Sequence, residues 1–125
     1  MNAPALTVTS QRLEAQDVTV LSLSGPLDGH TYDQLGTKLD RLIMNGYTRI
    51  VIDLAGCDYV SSAGVGVFVA ARSKADHEKG CIVLLNLQAK VIKVFEVLQL
   101  QDLLKIASSM DDALKILEEH HNSGS

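Results

Sequence analysis

The chain has 125 residues, 46% of them apolar and 21% charged, which is enough for one domain with a core that needs no disulfide staples. A formal charge of −4 argues against nucleic acid as a partner, because its binders carry a basic face. No run of about 18 apolar residues offers a membrane span, and Met1 to Pro4 open no charged-then-apolar export signal, so a cytoplasmic protein with no membrane contact is expected.

Ala5 to Thr9 reads as a first strand on its alternating Leu6 and Val8, and a polar turn around Glu14 to Asp17 follows. Val18 to Gly25 alternates apolar and small polar residues with period two, the best strand signal in the chain. After the turn Gly25-Pro26-Leu27-Asp28-Gly29, the recurrence of Leu35, Leu39, Leu42 and Ile43 forms one helical stripe that His30 or Thr31 starts and Gly46 stops. Tyr47 to Leu54 is a buried strand rich in β-branched residues, broken by Ala55-Gly56-Cys57-Asp58. A helix from the serines at 61 and 62 to Gly80 comes next; Val65, Val67 and Val69 favour a strand locally, but the run of helix formers from Ala70 to Lys79 decides for helix. Cys81 to Leu85 is a strand, Ala89 to Leu98 a helix with Val91, Phe95 and Leu98 on one face, and Leu104 to Ile106 a short strand. Ser109, with Asp112 three residues on, opens a last helix whose inner side holds Met110, Ala113, Leu114 and Leu117. This alternation predicts a single α/β domain with a mixed sheet of four to five strands and about four helices, its core spanning about 5–118 and a flexible tail 119–125.

Cys57 and Cys81 are expected as buried small hydrophobes. The four histidines, His30, His77, His120 and His121, form no metal-ligand set, and no cofactor is expected.

The chemistry concentrates at Tyr59-Val60-Ser61-Ser62-Ala63-Gly64-Val65-Gly66-Val67, where a hydrophobic strand gives way to a helix. A hydrolase elbow needs glycine two residues before and two after its serine; Gly64 meets the second requirement for Ser62, but Val60 stands at the first. Asp28 and His30 are an acid and a base of the right types, yet both precede the serine in the chain, where that fold places them after it. Gly64-Val65-Gly66 begins a dinucleotide fingerprint, but position 69 is Val69, and no Gly-Lys-Ser or Gly-Lys-Thr follows. The glycines are instead expected to let the helix approach the sheet, and a serine here caps the helix, stabilising it by roughly 1 kcal/mol.

Gly25 to Thr31, Arg49 to Leu54 and Asp58 to Val67 together resemble the STAS domain family, in particular the bacterial anti-sigma factor antagonists; the likeness runs from about Leu6 to Leu117. The resemblance implies helices packed mainly on one side of the sheet and no enzymatic activity. It further implies an anti-sigma factor serine kinase as partner: the unphosphorylated protein binds it, phosphorylation releases it, and a metal-dependent serine phosphatase resets the switch. Carried over by position, the phosphoacceptor is Ser62, with Ser61 as the alternative. The family's commonest motif has aspartate where Ser61 stands, and serine or threonine is frequent where Ala63 stands. Asp28 matches an acidic residue of the kinase-facing site, and the expected partner surface comprises Asp28, His30, Ser61, Ser62, Gly64 and Val65, with Phe68 as a further apolar candidate. The same family also implies an alternative, a scaffold or adaptor subunit of a signalling or lipid-transport complex in which the serines only cap the helix.

Overall fold

The computed structural model describes residues 5–123, with side chains through His120. It contains β1 (Thr7–Leu13), a 3-10 turn (Glu14–Gln16), β2 (Val18–Ser24), α1 (Tyr32–Met44), β3 (Arg49–Gly56), α2 (Ser62–His77), β4 (Cys81–Leu85), α3 (Ala89–Val97), β5 (Lys105–Ala107) and α4 (Met110–Ser123). The five strands form one sheet in sequence order. β1 and β2 are antiparallel and the other pairs are parallel, so the sheet is mixed, as expected.

Period-two alternation sorts the strands' side chains onto two faces. Leu21 and Leu23 of β2, Ile50, Ile52 and Leu54 of β3, and Ile82 and Leu84 of β4 enter one core with Leu35, Leu39 and Ile43 of α1, Phe68 of α2, and Val91 and Phe95 of α3. Val18, Val20, Val51, Cys81, Val83 and Leu85 point the other way, onto Ala113 and Leu117 of α4. Three helices therefore cover one face and α4 alone covers the other. β4 is buried at every position, which explains its continuous apolar run.

Several element ends differ from those the sequence predicts, and for β1 and β3 the reason is a strand partner. β1 runs on to Leu13 because β2 pairs with it along its full length, from Thr7 opposite Ser24 to Leu13 opposite Val18. β3 continues through Ala55 and Gly56, since Gly56 pairs with Ser24; a Cβ at Gly56 would lie 2.8 Å from the Leu23 carbonyl oxygen. Leu98 lies beyond the end of α3 and is exposed instead of sharing the inner face of Val91 and Phe95. α4 carries on to Ser123, past the expected start of the tail; Gly124 and Ser125 lie outside the described residues. Ser109 caps it through one arm of the expected box, its Oγ accepting from the Asp112 N–H at 3.1 Å, while the Asp112 carboxylate accepts from Ser108 Oγ at 3.4 Å. The Arg49 guanidinium fastens this helix to the sheet, donating to the Leu117 carbonyl at 3.0 Å and to the Gln16 and Asp17 carbonyls at 3.3 Å.

Cys57 and Cys81 are buried free thiols, and burial raises the pKa of each above the ordinary 9.0. A thiol with a raised pKa keeps its proton, so neither side chain supplies a thiolate near neutrality. The folded protein should therefore react with neither cysteine in a thiol-reagent assay at pH 8, and both should become reactive once denaturant unfolds it. Leu117→Ala removes the fully buried contact of α4 with the sheet and should cost about 2–5 kcal/mol in urea unfolding.

Candidate functional site

The loop after β2 and the loop after β3 are joined by backbone. Leu27 N–H donates to the Tyr59 carbonyl and Ser61 N–H to the Leu27 carbonyl, both at 2.9 Å, giving a parallel bridge between Leu27 and Val60. Gly25 N–H adds a bond to the Gly56 carbonyl at 3.0 Å. Leu27, Val60 and Cys57 are buried beneath this junction, so apolar packing holds from below what hydrogen bonds hold from above. Two segments more than thirty residues apart in sequence thereby meet at the mouth of α2, bringing Asp28 and His30 to the same end of the sheet as Ser61 and Ser62.

The two serines have different tasks. Ser61 is the N-cap of α2: its backbone is extended, and its half-buried Oγ accepts from the Gly64 N–H at 3.3 Å. Its carbonyl also accepts the first helical bond, from Val65 N–H at 3.0 Å. Ser62 is the first helical residue, exposed, and its hydroxyl makes no hydrogen bond to another described residue. The unpaired N–H groups of the first turn and the positive end of the helix dipole lie beside it.

Gly64 and Val65, expected at the partner surface, are buried instead. A Cβ at Gly64 would lie 2.8 Å from the Leu27 carbonyl oxygen and 2.9 Å from its Cγ, so this glycine is what lets α2 start against the Leu27 bridge. Val65 is 1% exposed and Phe68 is fully buried; both belong to the core, because the helix turns that stripe toward the sheet. Gly66, expected to ease approach to the sheet, is exposed with open space around it.

The loop of Asp28 is self-braced. Its Oδ1 accepts from the His30 N–H at 2.8 Å, and its own N–H donates to Thr31 Oγ1 at 2.9 Å. Thr31 Oγ1 donates to the Pro26 carbonyl at 2.8 Å, with Asp28 Oδ1 a longer neighbour at 3.3 Å. Thr31 is the N-cap position of α1, yet its hydroxyl is spent on the loop and makes no cap bond. Asp28 is half-buried and fixed, whereas His30 is exposed. Neither side chain is hydrogen-bonded to Ser62, so the acid and base that a hydrolase needs are not assembled on this hydroxyl.

An apolar surface does adjoin Ser62, on α3 instead of α2. Ser62, Lys90, Lys93, Val94, Val97 and Leu98 line one groove of about 370 Å³. Val97 is 74% exposed, one of the largest exposures of an apolar side chain among the described residues, and Leu98 is exposed as well. α3 is held there from both ends of its contact with the site. Asp53 Oδ1 accepts from the Ala55 N–H at 3.0 Å and from Asn86 Nδ2 at 3.2 Å, and Gln88 Nε2 donates to the Ala55 carbonyl at 2.8 Å. Phe95 meets Phe68 of α2 edge-on, with ring centroids 6.1 Å apart. No motif marks this surface in the sequence. Its signal is an excess of apolar residues: Val91 and Phe95 already fill an inward stripe, and Val94, Val97 and Leu98 are more than one stripe holds.

Fold and site together define a small α/β module that offers one uncommitted serine at the start of a rigid helix. The model for the STAS domain matches residues 10–113, and the chain belongs to the STAS domain family. BtrV of Bordetella bronchiseptica is similar at 30% identity over 94 residues, which cover 75% of this chain and 81% of BtrV. The anti-sigma F factor antagonist of Lysinibacillus sphaericus is 30% identical over 82 residues, 65% of this chain and 70% of that protein. The Bacillus anti-sigma factor antagonist SpoIIAA has a similar fold at 22% identity and a TM-score of 0.68 in both of its forms; the match covers 85% of this chain and 92% of the unphosphorylated structure, and 88% and 99% with the phosphorylated one.

The division of labour between the serines is measurable. Ser61→Ala should cost about 1 kcal/mol in urea unfolding, since it orphans the Gly64 N–H, whereas Ser62→Ala should change stability by less than about 0.5 kcal/mol. Gly64→Ala forces a methyl group onto the Leu27 backbone and should cost about 1–3 kcal/mol in the same measurement.

Proposed function

We propose that this protein is an anti-sigma factor antagonist whose Ser62 is phosphorylated by the serine kinase it binds. The free form holds that anti-sigma factor, the phosphorylated form releases it, and a metal-dependent phosphatase restores the first state. The observation that carries this reading is the exposed, unbonded hydroxyl of Ser62 next to a Ser61 already engaged as the cap. Relatives named as anti-sigma factor antagonists support it, as does the existence of SpoIIAA in unphosphorylated and phosphorylated forms.

In the reaction, Ser62 Oγ forms a bond to the γ-phosphorus of ATP as the bond to the departing ADP breaks, and the hydroxyl proton passes to a base of the kinase. This chain is the substrate and supplies no catalytic group. The product carries roughly −1.5 to −2 charge at neutral pH where there was none. Beneath a docked partner that charge must be desolvated, and Asp28 and Asp58 of the two bridged loops add negative charge to the same end of the molecule. Opposing like charges at an interface cost several kcal/mol, and about 4 kcal/mol is a thousandfold in affinity. The helix start accommodates the anion meanwhile, so the surface changes while the backbone stays in place.

Incubation with the ATP-binding anti-sigma factor of the same organism and ATP, followed by intact-mass measurement, should add one phosphate to the wild type and to Ser61→Ala and none to Ser62→Ala. Ser62→Asp should bind that kinase at least about a hundredfold more weakly than Ser62→Ala. A stable complex in which no serine is modified would refute the switch and favour a scaffold role.

A further inference from the structure

The groove beside Ser62 combines features that point to a specific occupant. Val97 and Leu98 are exposed, Val94 is half-buried, and all three face the groove that Ser62 enters from α2. Lys90 and Lys93, one turn apart on α3, line the same groove, and neither has an ion pair or side-chain hydrogen bond with another described residue. In a chain of net charge −4, an apolar groove lined by the stems of two exposed lysines that pair with no other described residue selects an occupant of acidic and apolar character. Both lysines share the lining of that groove with Ser62, the residue that would carry a phosphate.

The geometry points to a cationic clamp with two alternative loads: Lys90 and Lys93 bind acidic side chains of a partner protein whose apolar residues rest on Val94, Val97 and Leu98, and a phosphate on Ser62 draws both ammonium groups away from that partner. This deepens the proposed function and rests on it for the identity of the phosphorylated serine and of the partner. It adds a second reason for release. Repulsion by the phosphate removes one contact, and the loss of both lysines to an anion on their own chain removes the attraction as well.

The clamp can be read without any kinase. Phosphoserine installed at position 62 during translation is titrated by phosphorus NMR, in the wild-type background and in K90Q/K93Q. With the lysines present, the second ionisation should fall at a pH lower by about 0.5, because nearby cations favour the dianion, and the difference should shrink in high salt. Identical titrations in the two backgrounds would overturn the inference. The other load is read by calorimetric titration of the unphosphorylated protein with the anti-sigma factor kinase. K90E/K93E and, separately, V97S/L98S should each weaken binding about tenfold or more, while K115E, on the opposite face of the sheet, should not. If the kinase phosphorylates Ser62 and binds all of these variants equally, the proposed function stands and the clamp fails. If wild-type Ser62 is never phosphorylated, the proposed function fails, and the NMR comparison still decides whether the lysines hold the phosphate. Sedimentation with phosphatidylglycerol–phosphatidylcholine vesicles completes the test: pelleting that requires both the lysines and the apolar residues would assign the groove to a membrane surface and overturn the protein occupant.

Discussion

The site depends on the pair of backbone bonds that joins Leu27 to Tyr59 and Ser61. Parallel strands cannot be linked by a tight turn, so the loops that leave β2 and β3 have no local reason to meet. The bridge supplies one, and it continues the sheet's own pairing past the last strand residues. Because Leu27 is fully buried, the contact is anchored in the core and does not depend on surface side chains. Ser61 then caps α2 from a backbone already fixed by the bridge, and Ser62 projects from the next position. The glycine at 64 follows from the same contact, since only a residue without a Cβ fits against the carbonyl that Ser61 uses.

Much of the fold was legible because both periodicities are strong. The alternation in Val18 to Ser24 and the spacing of Leu35, Leu39 and Ile43 each name their buried residues directly. Element ends were less legible where partners outside the segment set them. β1 is mostly polar and exposed, and its length is dictated by β2, a partner that its own residues do not reveal. Val65 illustrates a different difficulty. An apolar residue three positions after an exposed serine fits either a contact surface or a core, and only the rotation of α2 against the sheet assigns it to the core. α3 presents the opposite case: Leu98 continues the spacing of Val91 and Phe95 but lies past the helix end.

The site itself was legible in its chemistry and incomplete in its extent. Two adjacent serines at a strand-to-helix junction give a hydroxyl for capping and a hydroxyl to spare, and the extended backbone and accepted bond of Ser61 decide which is which. The contribution of α3 was hidden because it comes from a distant segment, carried to Ser62 by the Phe68–Phe95 contact and by the hydrogen bonds of Asp53 and Gln88. A short helix with apolar residues all round reads as core from sequence alone; here one side of it faces outward.

The outer strands bear on how any other protein can approach this domain. β5 has three residues, enough to give an incoming strand only a few hydrogen bonds. β1 is longer, but Thr7, Thr9, Ser10 and Gln11 are exposed polar side chains that offer no greasy pockets for a peptide laid along it. Recognition by strand addition needs both a free ladder and such pockets, and stacking into fibres needs a long apolar rim. Blunt borders of this kind leave the domain poorly suited to either, and direct association toward its helices and the loop cluster where Ser62 stands.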